Sequence, residues 1–284
     1  MNPLREALIQ MKVENRHTCE LLDVGIEKGT VDLFEVSLVI KKMERDLGQD
    51  IRLRTTQHSS YSETDLMRIF HGISYALFFA KCQGIAHRDI KPQNLFIDGD
   101  QYVLGNFGFA YEVEKAVESG CDGTLIYLSP QLRLRMTGTD IDIDYFNSDV
   151  FALGVTLVHL MQLHFSTSIS MAWRSAESLN TAVEMELSGL PYSYELLDLV
   201  RQMLKFDPEE RLLIESLRLF VLRYFAREDQ RHIQLLMKVE EMCKNTEFDE
   251  IAEQLLRLSQ SCIDQRRFLD AETVLLQLLA QYRD

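Results

Sequence analysis

Between Ile85 and Ile97 the chain places His87, Arg88, Asp89, Lys91 and Asn94. A carboxylate beside a guanidinium and an ammonium, with a carboxamide close behind, is a grouping that can position a reactant and offset charge. His-Arg-Asp alone says little; Lys91 and Asn94 at their offsets make the pattern specific. A second grouping, Asp140, Asp142 and Asp144, alternates along Thr139–Tyr145. In an extended segment these carboxylates share one face, which favours a solvated acidic loop over a cation or basic-substrate site. The five cysteines, Cys19, Cys82, Cys121, Cys243 and Cys262, form no C-x-x-C pair. Neither a zinc knuckle nor a disulfide framework is expected of them.

The elements that must hold the Ile85–Ile97 stretch are legible on both sides of it. Ser62-x-x-Asp65 has the spacing of a capping box and opens a helix that should run to about Gln83. Gly84 then stands where a helix-ending glycine is expected. Downstream, Leu95–Ile97 and Tyr102–Leu104 flank Asp98-Gly99-Asp100 and read as a hairpin. Upstream, Leu4, Ala7, Leu8 and Met11 recur at helical spacing within Pro3–Val13. Leu21–Val24 and Leu33–Ile40 read as short strands separated by Gly25 and Gly29. From about Asn147 the pattern is almost all helical, and beyond Phe225 it continues at helical period to Asp284 without Gly or Pro.

The 284 residues are 46% hydrophobic, enough for a packed core, and carry a net charge of −14. That composition excludes a wholly disordered chain. The charge argues against non-specific nucleic-acid or anionic-membrane binding and is compatible with basic protein partners. The most apolar run, Phe151–Phe165, is broken by His159 and His164 and is shorter than the ~20 residues of a membrane span. A soluble, cytoplasmic protein is expected.

The stretch His87-Arg88-Asp89-Ile90-Lys91-Pro92-Gln93-Asn94 resembles the catalytic loop of eukaryotic protein kinases, in its serine/threonine form. Four further matches follow in that family's order. Asn106-Phe107-Gly108 stands where Asp-Phe-Gly is expected, and Gly123-Thr124-x-x-Tyr127-x-x-Pro130-Gln131 resembles the end of the activation segment. Ser148-Asp149-Val150-Phe151-Ala152-Leu153-Gly154 resembles the helix that anchors the large lobe. Met203-Leu204-Lys205-Phe206-Asp207-Pro208-x-x-Arg211 resembles the motif that closes the lobe.

The resemblance implies ATP-dependent phosphoryl transfer to protein hydroxyls, a reaction that rests on positioning and charge neutralisation. Asp89 would take or orient the hydroxyl proton, and Lys91 would offset phosphate charge. Asn94 would hold a magnesium ion, with Asn106 a weaker second ligand. Lys41 and Met43 at the hinge, and Phe96 in the strand after the loop, would lie at the nucleotide. Asp149 would support the loop backbone, His87 would pack beneath Phe107, and Gly108 would complete its tripeptide. Thr124 would touch Asp89. Arg88 would pair with a phosphate on the activation segment, for which Ser119 is the nearest acceptor.

Three departures weaken that expectation. Asn106 replaces a metal-binding carboxylate, and hard cations favour carboxylates. Gln131 replaces the glutamate that would pair with Arg211, removing a charge–charge contribution. The small lobe reads as truncated. Glu6 matches its ion-pairing glutamate, yet neither G-x-G-x-x-G nor V-A-I-K occurs anywhere in the chain.

The fold expectation is therefore α+β and protein-kinase-like. A partial N-terminal lobe spans 1–43, a mostly helical C-terminal lobe 44–225 and a helical extension 226–284. In that extension Leu255, Leu258, Phe268, Ala271, Leu275 and Leu278 fall at offsets resembling one tetratricopeptide repeat. Two functions follow from the same residues: a serine/threonine kinase with weak or no activity, using ATP and Mg if active, or a pseudokinase that scaffolds or regulates. Partners would be a protein substrate or a scaffold partner, together with a protein that covers the small lobe's exposed sheet edge.

Overall fold

The computed structural model describes residues 3–28, 34–113 and 123–226. The chain divides into two units, Met1–Arg218 and Leu219–Asp284. Ser119 and the repeat-like positions of the tail lie outside the described residues.

Helix α1 (Pro3–Lys12) precedes an antiparallel pair, β1 (Leu21–Lys28) and β2 (Phe34–Ile40), with Leu21 opposite Ile40 and Lys28 opposite Phe34. The first strand extends beyond the expected Val24. Gly25 does not end it, because a glycine in a two-stranded ribbon still pairs through its backbone, here with Ser37.

A short strand β3 (Arg45–Asp46) leads into α2 (Leu47–Gln57), capped by the Asp46 carboxylate. Helix α3 (Glu63–Cys82) begins with a full capping box. Ser62 accepts from the Asp65 N–H, and the Asp65 carboxylate accepts from the Ser62 N–H. Two orphan donors of the first turn are thereby satisfied. Gly84 follows at φ +68°, in the left-handed region glycine enters without cost.

Strand β4 (Ile85–Ala86) pairs with β7 (Tyr111–Glu112), and β5 (Leu95–Asp98) pairs with β6 (Gln101–Leu104) as the expected hairpin. The loop from His87 to Asn94 is thus fixed at both ends by a strand. Beyond it come α4 (Pro130–Met136), α5 (Tyr145–Gln162), α6 (Ser168–Met171), α7 (Ala176–Leu187), α8 (Tyr194–Met203) and α9 (Ile214–Ala226).

Helices α3 and α5 form the centre of the core. Leu66, Ile69, Phe70, Ile73 and Ala76 on α3 and Phe151, Leu153, Leu157 and Leu160 on α5 are all buried. Both helices are apolar around most of their circumference, as a helix enclosed on several sides must be. Asp140 and Asp142 are exposed, whereas Ile143 between the acids is buried. Asp144 caps α5 by accepting the Asn147 N–H at 2.9 Å. The acidic alternation is a solvated edge with one capping residue.

Gly72 lies where α3 meets β6. A Cβ there would stand 2.4 Å from the Tyr102 carbonyl oxygen and 3.0 Å from His17 Nδ1. A backbone oxygen cannot rotate away as a side chain can. Gly72→Ala should therefore cost about 1–3 kcal/mol of stability, read as a lower urea midpoint. An unchanged midpoint would show that α3 and β6 separate freely.

Candidate active site

Asp149, near the start of α5, builds the site from beneath. Its carboxylate accepts the His87 N–H at 2.7 Å and the Arg88 N–H at 2.8 Å. The two bonds pin the loop where Arg88 takes φ +68°, an uncommon value for a non-glycine residue. Gly123 must come close to this turn: a Cβ on it would lie 2.7 Å from the Arg88 carbonyl oxygen.

The His87 ring is fully buried and meets Phe107 edge-on, with ring centres 5.0 Å apart. Its Nε2 lies 3.1 Å from the Gly105 carbonyl, and its Nδ1 accepts the Asp89 N–H at 3.3 Å. These partners place the single ring proton on Nε2. Gly108 is buried beside Phe107.

Asp89 is the hub. Its Oδ1 accepts from the Thr124 N–H at 3.1 Å and the Thr124 hydroxyl at 2.8 Å. Its Oδ2 accepts from Asn94 Nδ2 at 2.9 Å and pairs with Lys91 Nζ at 2.7 Å. Lys91 also donates to the Thr124 hydroxyl at 2.7 Å. Burial alone would raise the Asp89 pKa, but the Lys91 and Thr124 hydrogen bonds outweigh it and hold the carboxyl below its ordinary range. Asp89 is therefore an ionised, fully bonded carboxylate, with an ammonium and a hydroxyl gathered on it.

Asn94 and Asn106 face each other. Asn94 Nδ2 also donates to the Asp89 backbone carbonyl at 2.6 Å, which turns Asn94 Oδ1 outward. That oxygen accepts from Asn106 Nδ2 at 3.0 Å. Asn106 sits at φ +63°, a conformation asparagine tolerates better than most side chains. Magnesium takes oxygens and prefers carboxylates. Here an amide donor points at the oxygen that would bind it, and the described residues contain no group of three Asp, Glu, His or Cys able to hold a metal. These residues do not fit a magnesium site as they stand.

Other expected positions lie apart. Lys41 pairs with Asp98 at 2.7 Å, and its N–H is bonded to the Glu20 carbonyl. Together with Met43, Glu14, Arg16 and Glu20 it lines a cavity of about 400 Å³ that none of Asp89, Asn94 and Asn106 lines. Phe96 is half-buried and packs close to Gly105, where a Cβ would fall 2.9 Å from its ring and 2.6 Å from Cys19 Sγ. Burial raises the Glu6 carboxyl, and the neighbouring Arg5 lowers it. Among the described residues no ion pair reaches Glu6.

Gln131 accepts from Arg211 Nη2 at 2.9 Å and donates to the Phe206 carbonyl at 2.6 Å. Arg211 is satisfied by that amide and by the carbonyls of Lys205, Phe206 and Asn147, over the Phe151 ring. Burial pulls Arg211 down to about 10, with Asp144 and Asp207 only partly opposing it.

Two buried groups of the loop respond to pH in opposite senses. Burial pushes His87 down to about 4 from its ordinary 6.5. Its neutral form stabilises fully above pH 6.5, and that contribution is lost as pH falls through 4. Burial pushes Asp149 up to about 7 from 3.8, against its bonds from His87 and Arg88. Its contribution is full below 3.8 and is lost as pH rises through 7. Removing the imidazole by His87→Asn removes only the first. The cost of that substitution should shrink by roughly 3 kcal/mol between pH 7 and pH 4, read by denaturant unfolding at both values. A pH-independent cost would show that His87 does not titrate with folding.

A hairpin-flanked Asp89 loop pinned by Asp149, a Thr124 contact and a mostly helical large lobe define a protein-kinase fold. The family model described as the protein kinase domain matches residues 2–219, and the chain belongs to that family. It is 34% identical over 178 residues to a probable serine/threonine-protein kinase nek3 of Dictyostelium discoideum, covering 58% of this chain and 15% of that protein. It is 28% identical over 203 residues to the mouse serine/threonine-protein kinase Nek1, covering 69% and 16%. A Wee1-like protein kinase of Arabidopsis thaliana is 32% identical over 154 residues, covering 53% and 28%. The chain spans less than a third of the length of each of these three relatives.

The Tyr127 hydroxyl meets His159 Nδ1 at 3.2 Å, while His159 Nε2 meets the Ser166 carbonyl at 2.9 Å. This ties the segment after Thr124 to α5, but His159 reads in the sequence as one polar break in an apolar run. The capping role of Asp144 did carry a signal, an Asp directly before a helical pattern. Among the described residues no helix is long and apolar enough to cross a membrane.

Proposed function

We propose that this is a serine/threonine-type protein-kinase domain whose phosphoryl transfer is weak or absent. The observation that carries the proposal is the Asn106–Asn94 amide pair at 3.0 Å. Two neutral carboxamides bond each other where a carboxylate and a carboxamide would share a divalent cation. The Asp89, Lys91 and Thr124 grouping has the residues for orienting a hydroxyl and offsetting charge, so the deficit lies with the metal and nucleotide. In this reading the small lobe is 1–43, the large lobe 44–225, the extension 226–284, and the protein works in the cytoplasm.

Support for a scaffold or regulatory role comes from exposed apolar surface. Leu8 and Met11 on α1 are 61% and 59% exposed, and Phe34 on β2 is 66% exposed. Leu8 and Met11 lie one turn apart on α1, exposed apolar side chains mark an interaction surface when contiguous, and a partner protein covering them would give the domain a role that needs no catalysis.

Thermal-shift titration with ATP, with and without Mg2+ or Mn2+, tests the proposal. The expected result is no stabilisation that grows with the metal. A large metal-dependent upward shift contradicts it.

A further inference from the structure

Strand β7 follows Asn106-Phe107-Gly108 and carries a tyrosine that two arginines share. The Arg5 guanidinium, from α1, lies 5.0 Å from the centre of the Tyr111 ring, and the Arg88 guanidinium, from the catalytic loop, lies 5.8 Å from it. Arg88 also lies 4.9 Å from the Tyr145 ring at the start of α5 and is 7% exposed. A cation within about 6 Å of a ring centre is attracted by its π face, more strongly when desolvated.

Further contacts run the same way. Arg5 Nη2 donates to the Gly108 carbonyl at 3.4 Å, and Lys12 at the far end of α1 pairs with Glu112. Tyr111 and Glu112 are themselves the strand partners of Ala86 and Ile85, the two residues that lead into His87. A continuous set of contacts therefore runs from α1 through Tyr111 to the loop bearing Asp89.

We propose that Tyr111 is a positioning residue whose ring joins Arg5 to Arg88, so that α1 and the Asp89 loop hold one arrangement without a phosphate on the activation segment. Two tyrosine rings contact Arg88 whether or not it also pairs with a phosphate. This depends on the kinase-loop assignment of Arg88–Asn94 but not on activity, so it survives or fails whether or not the chain transfers phosphate.

Hydrogen–deuterium exchange on the full chain tests it. Tyr111→Phe keeps the π face and should leave exchange unchanged. Tyr111→Leu should speed exchange roughly tenfold both in α1 and at His87–Asp89. Arg5→Gln leaves β7 intact, yet should also loosen His87–Asp89, which keeps the proposal testable if Tyr111→Leu fails to fold. Phosphatase treatment of the wild-type chain should change nothing. Tyr111→Phe as damaging as Tyr111→Leu, Arg5→Gln silent at His87–Asp89, or loss of protection after phosphatase treatment would each overturn the proposal.

Discussion

Asn106→Asp should tighten Mn2+ binding by on the order of 100-fold, measured by calorimetric titration. In the wild-type chain Asn106 donates to Asn94 Oδ1 at 3.0 Å, so the oxygen that a hard cation would want is already satisfied. An aspartate has no proton to give there. It would set two acceptor oxygens face to face, an arrangement that a divalent cation relieves and a water only partly does. Asn106→Leu is the matched control. It breaks the amide pair without adding charge and should bind the ion no better than wild type. Equal weak binding by all three chains would show that the missing carboxylate is not what limits the site.

Asp149→Ala should destabilise the fold by about 4 kcal/mol at pH 4 and by less at pH 8, where burial of the ionised carboxyl offsets its two bonds, read by denaturant unfolding. Two buried backbone donors, the N–H groups of His87 and Arg88, lose their only carboxylate together. Each orphaned buried donor costs about 1–3 kcal/mol. Arg88 also has the left-handed φ of +68° to maintain, which the carboxylate supports. Asp149→Asn keeps one acceptor oxygen but turns an NH2 toward the second donor, so it should recover part of the loss and not all. A loss below about 1 kcal/mol at pH 4 for the alanine variant would mean that the loop holds its shape through β4 and β5 alone.

How much of this was legible in the sequence depended on whether a contact is local or distant. The α3 boundaries were readable, because Ser62, Asp65 and Gly84 act on their own backbone within a few residues. The Asp89 hairpin flank was readable for the same reason. Strand β1 was read too short, since a glycine's weakness in a strand is overridden by pairing with β2, a partner set by tertiary structure. The Asn106 substitution was visible, but its consequence was not. That Asn106 closes onto Asn94 follows from the Asp89 bonds that turn the Asn94 amide, and no spacing rule encodes that orientation. The Gln131–Arg211 contact was legible as a lost charge. Its compensation by three backbone carbonyls was not, because those carbonyls come from segments that only folding brings around one guanidinium. The sharing of Tyr111 by Arg5 and Arg88 lay furthest out of reach, as Arg5 stands about a hundred positions before that tyrosine.

Charge gives the same division. The net charge of −14 argues against non-specific nucleic-acid or anionic-membrane binding without any coordinates. It could not show that Lys41 would pair with Asp98, nor that Asp144 would spend its carboxylate on the end of α5.

We infer that the chain keeps a kinase loop around Asp89 while lacking the metal-handling that phosphoryl transfer needs. Radiolabelled transfer from the γ-position of ATP to a generic protein substrate, with Mg2+ or Mn2+ and with Asp89→Asn as control, tests it most directly. Incorporation should be no greater than a small excess over the control. Robust, metal-dependent incorporation that disappears in Asp89→Asn would contradict it.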